Sequence, residues 1–157
     1  MGGRVMAIEA TERSGLAMGV VGGGVSGVLE SAFHVVLRVG AGLLFMQHGA
    51  QKVLGWFGGF GGQPGATAEL FSQMGLAGVL ELFGGLLVVV GLFVRPVSAV
   101  LVLLMLAAYG IAHMPRGGVP VQNGGELALL YALIFAYFAA KGAGSASVDR
   151  VIERRAR

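Results

Sequence analysis

Apolar residues in this chain run in long blocks, and polar residues collect where the blocks end. The first long block extends from about Ser31 to Val53, the second from Gly75 to Val94, the third from Val97 to Met114, and the fourth from near Asn123 to Lys141. Each approaches the roughly 20 residues a helix needs to cross about 30 Å of hydrocarbon. This pattern predicts four membrane-spanning helices. Ser31 is a natural N-cap for the first. The segment Gly55-Trp-Phe-Gly-Gly-Phe-Gly-Gly-Gln-Pro64 breaks helicity, and its Trp56, Phe57 and Phe60 suit the membrane–water interface. Thr67–Met74 reads as a short amphipathic helix lying on the membrane. Arg95-Pro96 reads as a tight turn, and Pro115–Pro120 as a non-helical loop. Asn123 and Glu126 have capping-box spacing at the start of the fourth span. Ala128, Ala132, Ala136 and Ala140 form a small-residue stripe suited to close helix packing.

Before the first span the pattern is weaker. Residues 1–15 are mixed in charge, and Leu16–Leu29 is apolar but short and holds five glycines. It lacks the basic start and compact leucine-rich run of a signal peptide, so a short extra helix or an interfacial segment is expected over 16–29. The organisation is therefore an N-terminal extension over 1–30, disordered or interfacial, a four-span membrane domain over 31–141, and a basic cytoplasmic tail over 142–157.

Composition supports this reading. Of the 157 residues 55% are hydrophobic and 12% charged, against about 25% charged in a typical soluble domain, and the mean hydropathy is +0.80. The 29 glycines suit helices that approach closely in lipid. The fold class is all-α, an integral membrane four-helix bundle. With four spans, Arg4, Arg13, Arg95, Lys141, Arg150, Arg154, Arg155 and Arg157 share one side, and Lys52 and Arg116 the other. The positive-inside rule then places both termini in the cytoplasm. The net charge of +3 does not mark a nucleic-acid binder, because the basic residues sit in tails and at block boundaries. Cysteine is absent, which removes disulfides, thiolate metal sites and thiol relays from this chain's repertoire. Electrons in any redox role must be carried by a cofactor, a quinone or a partner.

Ionisable residues inside spans are costly and face a partner or a wet cavity. In the first span His34 and Arg38 are four apart, as are His48 and Lys52, so each pair shares a helix face. Together they make one stripe roughly 27 Å long. Its bland reading is a seal for the bundle: Arg38 snorkels to one surface and Lys52 to the other, while Glu81 offsets His48 or Lys52 as an ion pair. The sharper reading follows from the topology, which gathers His48, Lys52, Glu81, His113, Asn123 and Glu126 in the outer half. A carboxylate–histidine cluster there can pass protons or hydrogen-bond a quinone's carbonyls. Two histidines with two carboxylates are too common a set to specify a metal, and none is expected.

The run Leu37-Arg38-Val39-Gly40, then His48-Gly49-Ala50-Gln51-Lys52 and Gly55-Trp56-Phe57-Gly58-Gly59, resembles the DoxX family of small four-helix membrane proteins. So do Glu81 with Gly84-Gly85, Gly91-Leu92-Phe93-Val94-Arg95, His113, and Asn123-Gly124-Gly125-Glu126. The resemblance covers about residues 33–141 and is most specific in the His-Gly-x-x-Lys and Asn-Gly-Gly-Glu segments. It implies a multi-pass plasma-membrane protein. Relatives include a small subunit of a thiosulfate:quinone oxidoreductase, and an actinobacterial member described as joining an oxidoreductase complex with a superoxide dismutase and a thiosulfate sulfurtransferase. His48, Lys52, Glu81, His113 and Glu126 match family-typical positions, without a catalytic assignment for any.

The expected function is that of a membrane subunit of a redox complex, coupling a small sulfur compound or other donor to the quinone pool. Candidate catalytic residues are His48, Glu81 and His113. Candidate substrate or quinone ligands are His48, Lys52, Trp56, Glu81, His113, Asn123 and Glu126. No covalent cofactor is expected, only a quinone. Expected partners are membrane lipids, soluble oxidoreductases or sulfurtransferases, and further copies of the chain. One alternative is a non-enzymatic anchor acting through Arg150, Arg154, Arg155 and Arg157. Another is a small-solute or proton-coupled transporter, against which stands the lack of an evident inverted repeat.

Overall fold

The computed structural model describes residues 25–157, and among them every regular element is helical. The order is α1 (Gly2–Leu54, described from Val25 on), a 3-10 turn at Phe60–Gly62, α2 (Gln73–Val90), α3 (Val94–Ala108), a π turn at Tyr109–His113, a 3-10 turn at Met114–Arg116, α4 (Pro120–Asn123), α5 (Glu126–Lys141) and α6 (Val148–Arg155). Most of the N-terminal extension, including residues 16–24 of the short helix or interfacial segment expected over 16–29, lies outside the described residues. Residues 25–30 belong to α1.

Three stretches are long and apolar enough to cross a membrane: Val25–Leu54, Gln73–Val90 and Val94–Arg116. The protein is an all-helical, multi-pass membrane protein. The expected fourth span corresponds to α5, whose 16 residues cover only about 24 Å at 1.5 Å per residue. Contacts divide the chain into Met1–His34 and Val35–Arg157. In the first unit His34 is buried, at 6% exposure.

Glycine sets the spacing of α1 and α2. A Cβ on Gly49 would stand 2.4 Å from the Leu82 amide nitrogen and 2.6 Å from the Gly78 carbonyl oxygen. One on Gly85 would stand 2.7 Å from Met46 Cγ and 2.9 Å from the Gly42 carbonyl oxygen. Gly42 and Gly49 are seven apart, as are Gly78 and Gly85, so two small positions on each helix meet two on the other. The backbones touch, as lipid-embedded helices with small residues do.

The other seam, between α3 and α5, is bulky. Val94, Ser98, Leu101 and Met105 are buried on α3, and Tyr131, Ala132, Phe135 and Phe138 on α5. Phe45 of α1 joins them, 5.0 Å from Tyr131 and 4.8 Å from Phe135 between ring centroids. This corrects the alanine stripe: Ala132 is buried, but Ala136 and Ala140 are exposed. The aromatic residues at 131, 135 and 138 carry the packing because their larger area dominates what a helix gains by burial. Leu43, Phe83, Leu103, Ile111 and Leu133 remain exposed, a surface suited to lipid tails.

Several local expectations are revised. Ser31 lies within α1 and caps nothing at a helix start. Residues 67–72 are not helical: Ala68 N–H donates to the Lys52 carbonyl at 2.8 Å, which pins this segment to the end of α1. Ser72 instead caps α2, accepting from Gly75 N–H at 3.1 Å. The turn between α2 and α3 is at Gly91–Phe93, not Arg95-Pro96, which sit in the first turn of α3. Gly91 (φ 76°) closes α2 in a left-handed cap, with Leu92 N–H reaching the Leu87 carbonyl at 2.9 Å. Proline tolerates a first helical turn, where its missing N–H has no intrahelical partner to lose, so span three starts earlier than Val97. The capping box also fails. Asn123 closes α4, its Oδ1 accepts from Gly125 N–H at 2.8 Å, and Glu126 is exposed. Gly124, in the left-handed region at φ 71°, separates the two helices.

At the opposite end the C-terminal segment is built into the bundle. Arg38 does not snorkel outward; it is 1% exposed. Its guanidinium donates to the carbonyls of Val88 at 2.5 Å, Val89 at 2.7 Å and Ala146 at 2.5 Å. The last carbonyls of a helix have no intrahelical donor, and Arg38 supplies one for α2. Asp149 then accepts from Phe93 N–H at 2.8 Å and Val94 N–H at 3.1 Å, capping α3. Ala143 is buried with the core. A single buried cation and one carboxylate therefore satisfy two helix ends and fasten residues 142–149.

Candidate functional site

Four helices converge on a cavity of about 300 Å³ in the half of the bundle away from Arg38. α1 contributes Phe45, His48 and Lys52; α2 contributes Met74, Ala77 and Glu81. The end of α3 and its π turn add Met105, Ala108, Ala112 and His113, and α5 adds Leu127, Ala128 and Tyr131. The walls are chiefly apolar, with a few polar groups converging on them. That is the usual make-up of a site for a small organic ligand.

The polar groups are held in different ways. Lys52 Nζ donates to Glu81 Oε2 at 2.5 Å, with side-chain exposures of 19% and 6%. The carboxylate is thus buried, whereas the lysine side chain is partly exposed. The spacing of α1 produces this, because His48 and Lys52 are one turn apart on the face that carries Phe45. Gly78, one turn before Glu81, lets the Lys52 stem lie against α2: a Cβ there would stand 2.7 Å from Lys52 Cβ.

His113 is positioned by the π turn, a feature frequent at functional sites. Its Nδ1 lies 3.1 Å from the Asn123 carbonyl oxygen. A carbonyl can only accept, so Nδ1 carries the hydrogen and Nε2 of the neutral ring is an acceptor. Tyr109 stacks on the ring, with centroids 6.4 Å apart and planes at 20°. Asn123 is 3% exposed. Its Nδ2 donates to the Gly117 carbonyl at 2.6 Å, so the loop after α3 and the start of α5 are tied together behind His113. On the facing wall His48 meets Tyr131 edge to face, with centroids 6.1 Å apart.

The structure thus brings together four of the residues singled out from the sequence: His48, Lys52, Glu81 and His113. Asn123 supports His113 without lining the cavity. Trp56, 59% exposed, and Glu126, also exposed, stand outside it. Both were placed there by chain position alone, which fixes the level of a residue in the bundle and not its direction. Sequence reasoning missed Tyr131 and Phe45, which form the aromatic surface of the site, and Tyr109, which stacks on His113. Tyr131, Phe135 and Phe138, at helical spacing, could have signalled it.

A family model described as DoxX matches residues 33–114, which include His48, Lys52, Glu81 and His113. A Haemophilus influenzae protein, described only as uncharacterized, is 38% identical over 120 residues, covering 74% of this chain and 88% of that relative. No solved structure matches. With the family model spanning over half of the sequence and these four residues lining one cavity, the chain belongs to the DoxX family of small membrane proteins.

Proposed function

We propose that this protein is a plasma-membrane subunit of a redox complex, and that its cavity holds the headgroup of a quinone. The observation that carries the reading is the cavity's make-up: a Lys52–Glu81 pair with a buried carboxylate, two histidines and an aromatic wall. In this reading the chain has four spans with both termini in the cytoplasm. α5 crosses as the fourth with the help of α4 and its flanking loops.

Quinone carbonyls accept hydrogen bonds, and Lys52, His48 and the protonated form of His113 are the available donors. The ring requires a flat apolar surface, which Phe45 and Tyr131 offer. Reduction to the quinol consumes two electrons and two protons. The electrons come from a small oxidisable donor, such as a reduced sulfur compound, handled by a partner protein, since this chain holds no thiol. The chain's own part is to orient the headgroup and to supply protons. His113 in its protonated form can give one from Nε2, and Lys52 can give one and recover it from water while Glu81 holds the charge balance.

Fluorescence or calorimetric titration of the purified protein with a short-chain ubiquinone and menaquinone tests this. Saturable binding that weakens in Glu81→Gln and His48→Ala is expected. No binding, or binding indifferent to both changes, sinks the proposal.

A further inference from the structure

The C-terminal helix α6 is amphipathic and leaves its apolar face uncovered. Val148, Val151 and Ile152 lie at i, i+3 and i+4, and are 38%, 50% and 50% exposed. Arg150, Arg154, Arg155 and Arg157 surround them. A free tail with this composition would say little, but α6 is not free. Asp149 in its first turn bonds the amides of Phe93 and Val94, and Val94 is the first residue of a membrane-spanning stretch. Asp149 N–H also donates to the Gly91 carbonyl at 2.9 Å. The helix is therefore held at the level where a span enters the bilayer, beside Phe93, which is 60% exposed.

Between α6 and the starts of α3 and the C-terminal segment lies a second cavity of about 500 Å³, lined among others by Arg95, Lys141 and Arg150. Two carboxylates, Asp149 and Glu153, also line it. Asp149 is engaged with the α3 amides, and Glu153 lies 3.8 Å from Arg150. The lining thus carries three positive and two negative formal charges, a net of +1, which matches one phosphodiester.

We infer that α6 lies on the bilayer surface as a platform for anionic phospholipid, with Val148, Val151 and Ile152 among the acyl chains and a headgroup phosphate in the Arg95–Arg150 cavity. A helix of this kind binds through apolar burial together with attraction to anionic lipid. The placement of α6 at the mouth of a span supplies the proximity that so short an apolar face could not achieve alone.

The absence of native cysteine makes the test direct. Full-length protein carrying Ile152→Cys or Glu153→Cys is spin-labelled and reconstituted into discs of phosphatidylcholine with or without phosphatidylglycerol. With phosphatidylglycerol present, the label at 152 should relax with lipid-dissolved oxygen and the label at 153 with an aqueous nickel chelate. Phosphatidylcholine alone should move the 152 label toward water. Native mass spectrometry of the detergent-purified protein should show that Arg95→Gln with Arg150→Gln lowers phosphatidylglycerol retention about tenfold, with melting temperature as the check on folding. Equal aqueous exposure at 152 and 153 overturns the platform and leaves the face to a protein partner. Indifference of the 152 label to lipid charge, or undiminished phosphatidylglycerol retention in the variant, overturns the anionic-lipid assignment.

Discussion

The two ends of this bundle handle buried charge in opposite ways. At the Arg38 end the cation is spent on backbone: three carbonyls surround the guanidinium, and Asp149 caps two amides nearby. At the Glu81 end the charges meet side chain to side chain, at 2.5 Å, beside a cavity of about 300 Å³ and two histidines. The first arrangement encloses the guanidinium in fixed carbonyls and closes two helix ends. The second leaves a void with donors around it. Both ends contain a basic residue from the same stripe of α1, so residue type alone does not separate structural charge from functional charge. What separates them is whether the partners are fixed backbone groups or side chains bordering open space.

The largest effect should come from Arg38→Met. It removes the charged donor from the Val88 and Val89 carbonyls at the end of α2 and frees the segment at Ala146, at a cost of about 3 kcal/mol or more, since bonds from charged donors are worth roughly 1.5–3 each and are not additive. Thermal unfolding in detergent measures this. A melting temperature equal to wild type would show that the closed end is not what fastens the tail. Next is Gly49→Val, which forces α1 off the α2 backbone and should cost about 1–3 kcal/mol by overpacking. Gly110→Ala, with open space where its Cβ would stand, serves as the neutral control.

Glu81→Gln should act mainly on the ligand, weakening quinone affinity by about tenfold, or ~1.4 kcal/mol, with a smaller effect on melting than Arg38→Met. The reverse order, strong destabilisation with intact binding, would make Glu81 another structural charge and erase the contrast. The smallest effects belong to Trp56→Ala and Glu126→Gln. Both should leave quinone affinity unchanged within about twofold, because changes to exposed surface positions away from a site have little consequence. A larger loss in either would show that the site extends beyond the cavity.

Much of this was legible beforehand because lipid constrains sequence so strongly. Helices must satisfy their own backbone, so apolar blocks report the spans, and four-residue spacing reports a shared face. That logic found His48, Lys52, Glu81 and His113 and set them at one level. It failed for Glu126 and Trp56, because level along a span says nothing about direction around it. It also misjudged local ends. Arg95-Pro96 and the Asn123–Glu126 pair carried sound helix-end signals that neighbouring contacts overruled, and Ser31 lies inside a continuous helix.

The sequence by itself determined that this is an all-helical membrane protein with ionisable groups carried on one face of its first described helix. Hydrophobic block length and helical periodicity are local properties, readable without knowledge of any neighbour. Only the tertiary structure decided that Arg38 closes a helix end while Lys52 pairs with Glu81, that aromatic rather than alanine positions of α5 build the core, and that the basic tail is fastened to the α2–α3 turn. Those outcomes depend on which carbonyls, amides and voids lie opposite a side chain. Residues 50 or more apart in the chain, such as Arg38 and Val88, settle that only once they are packed.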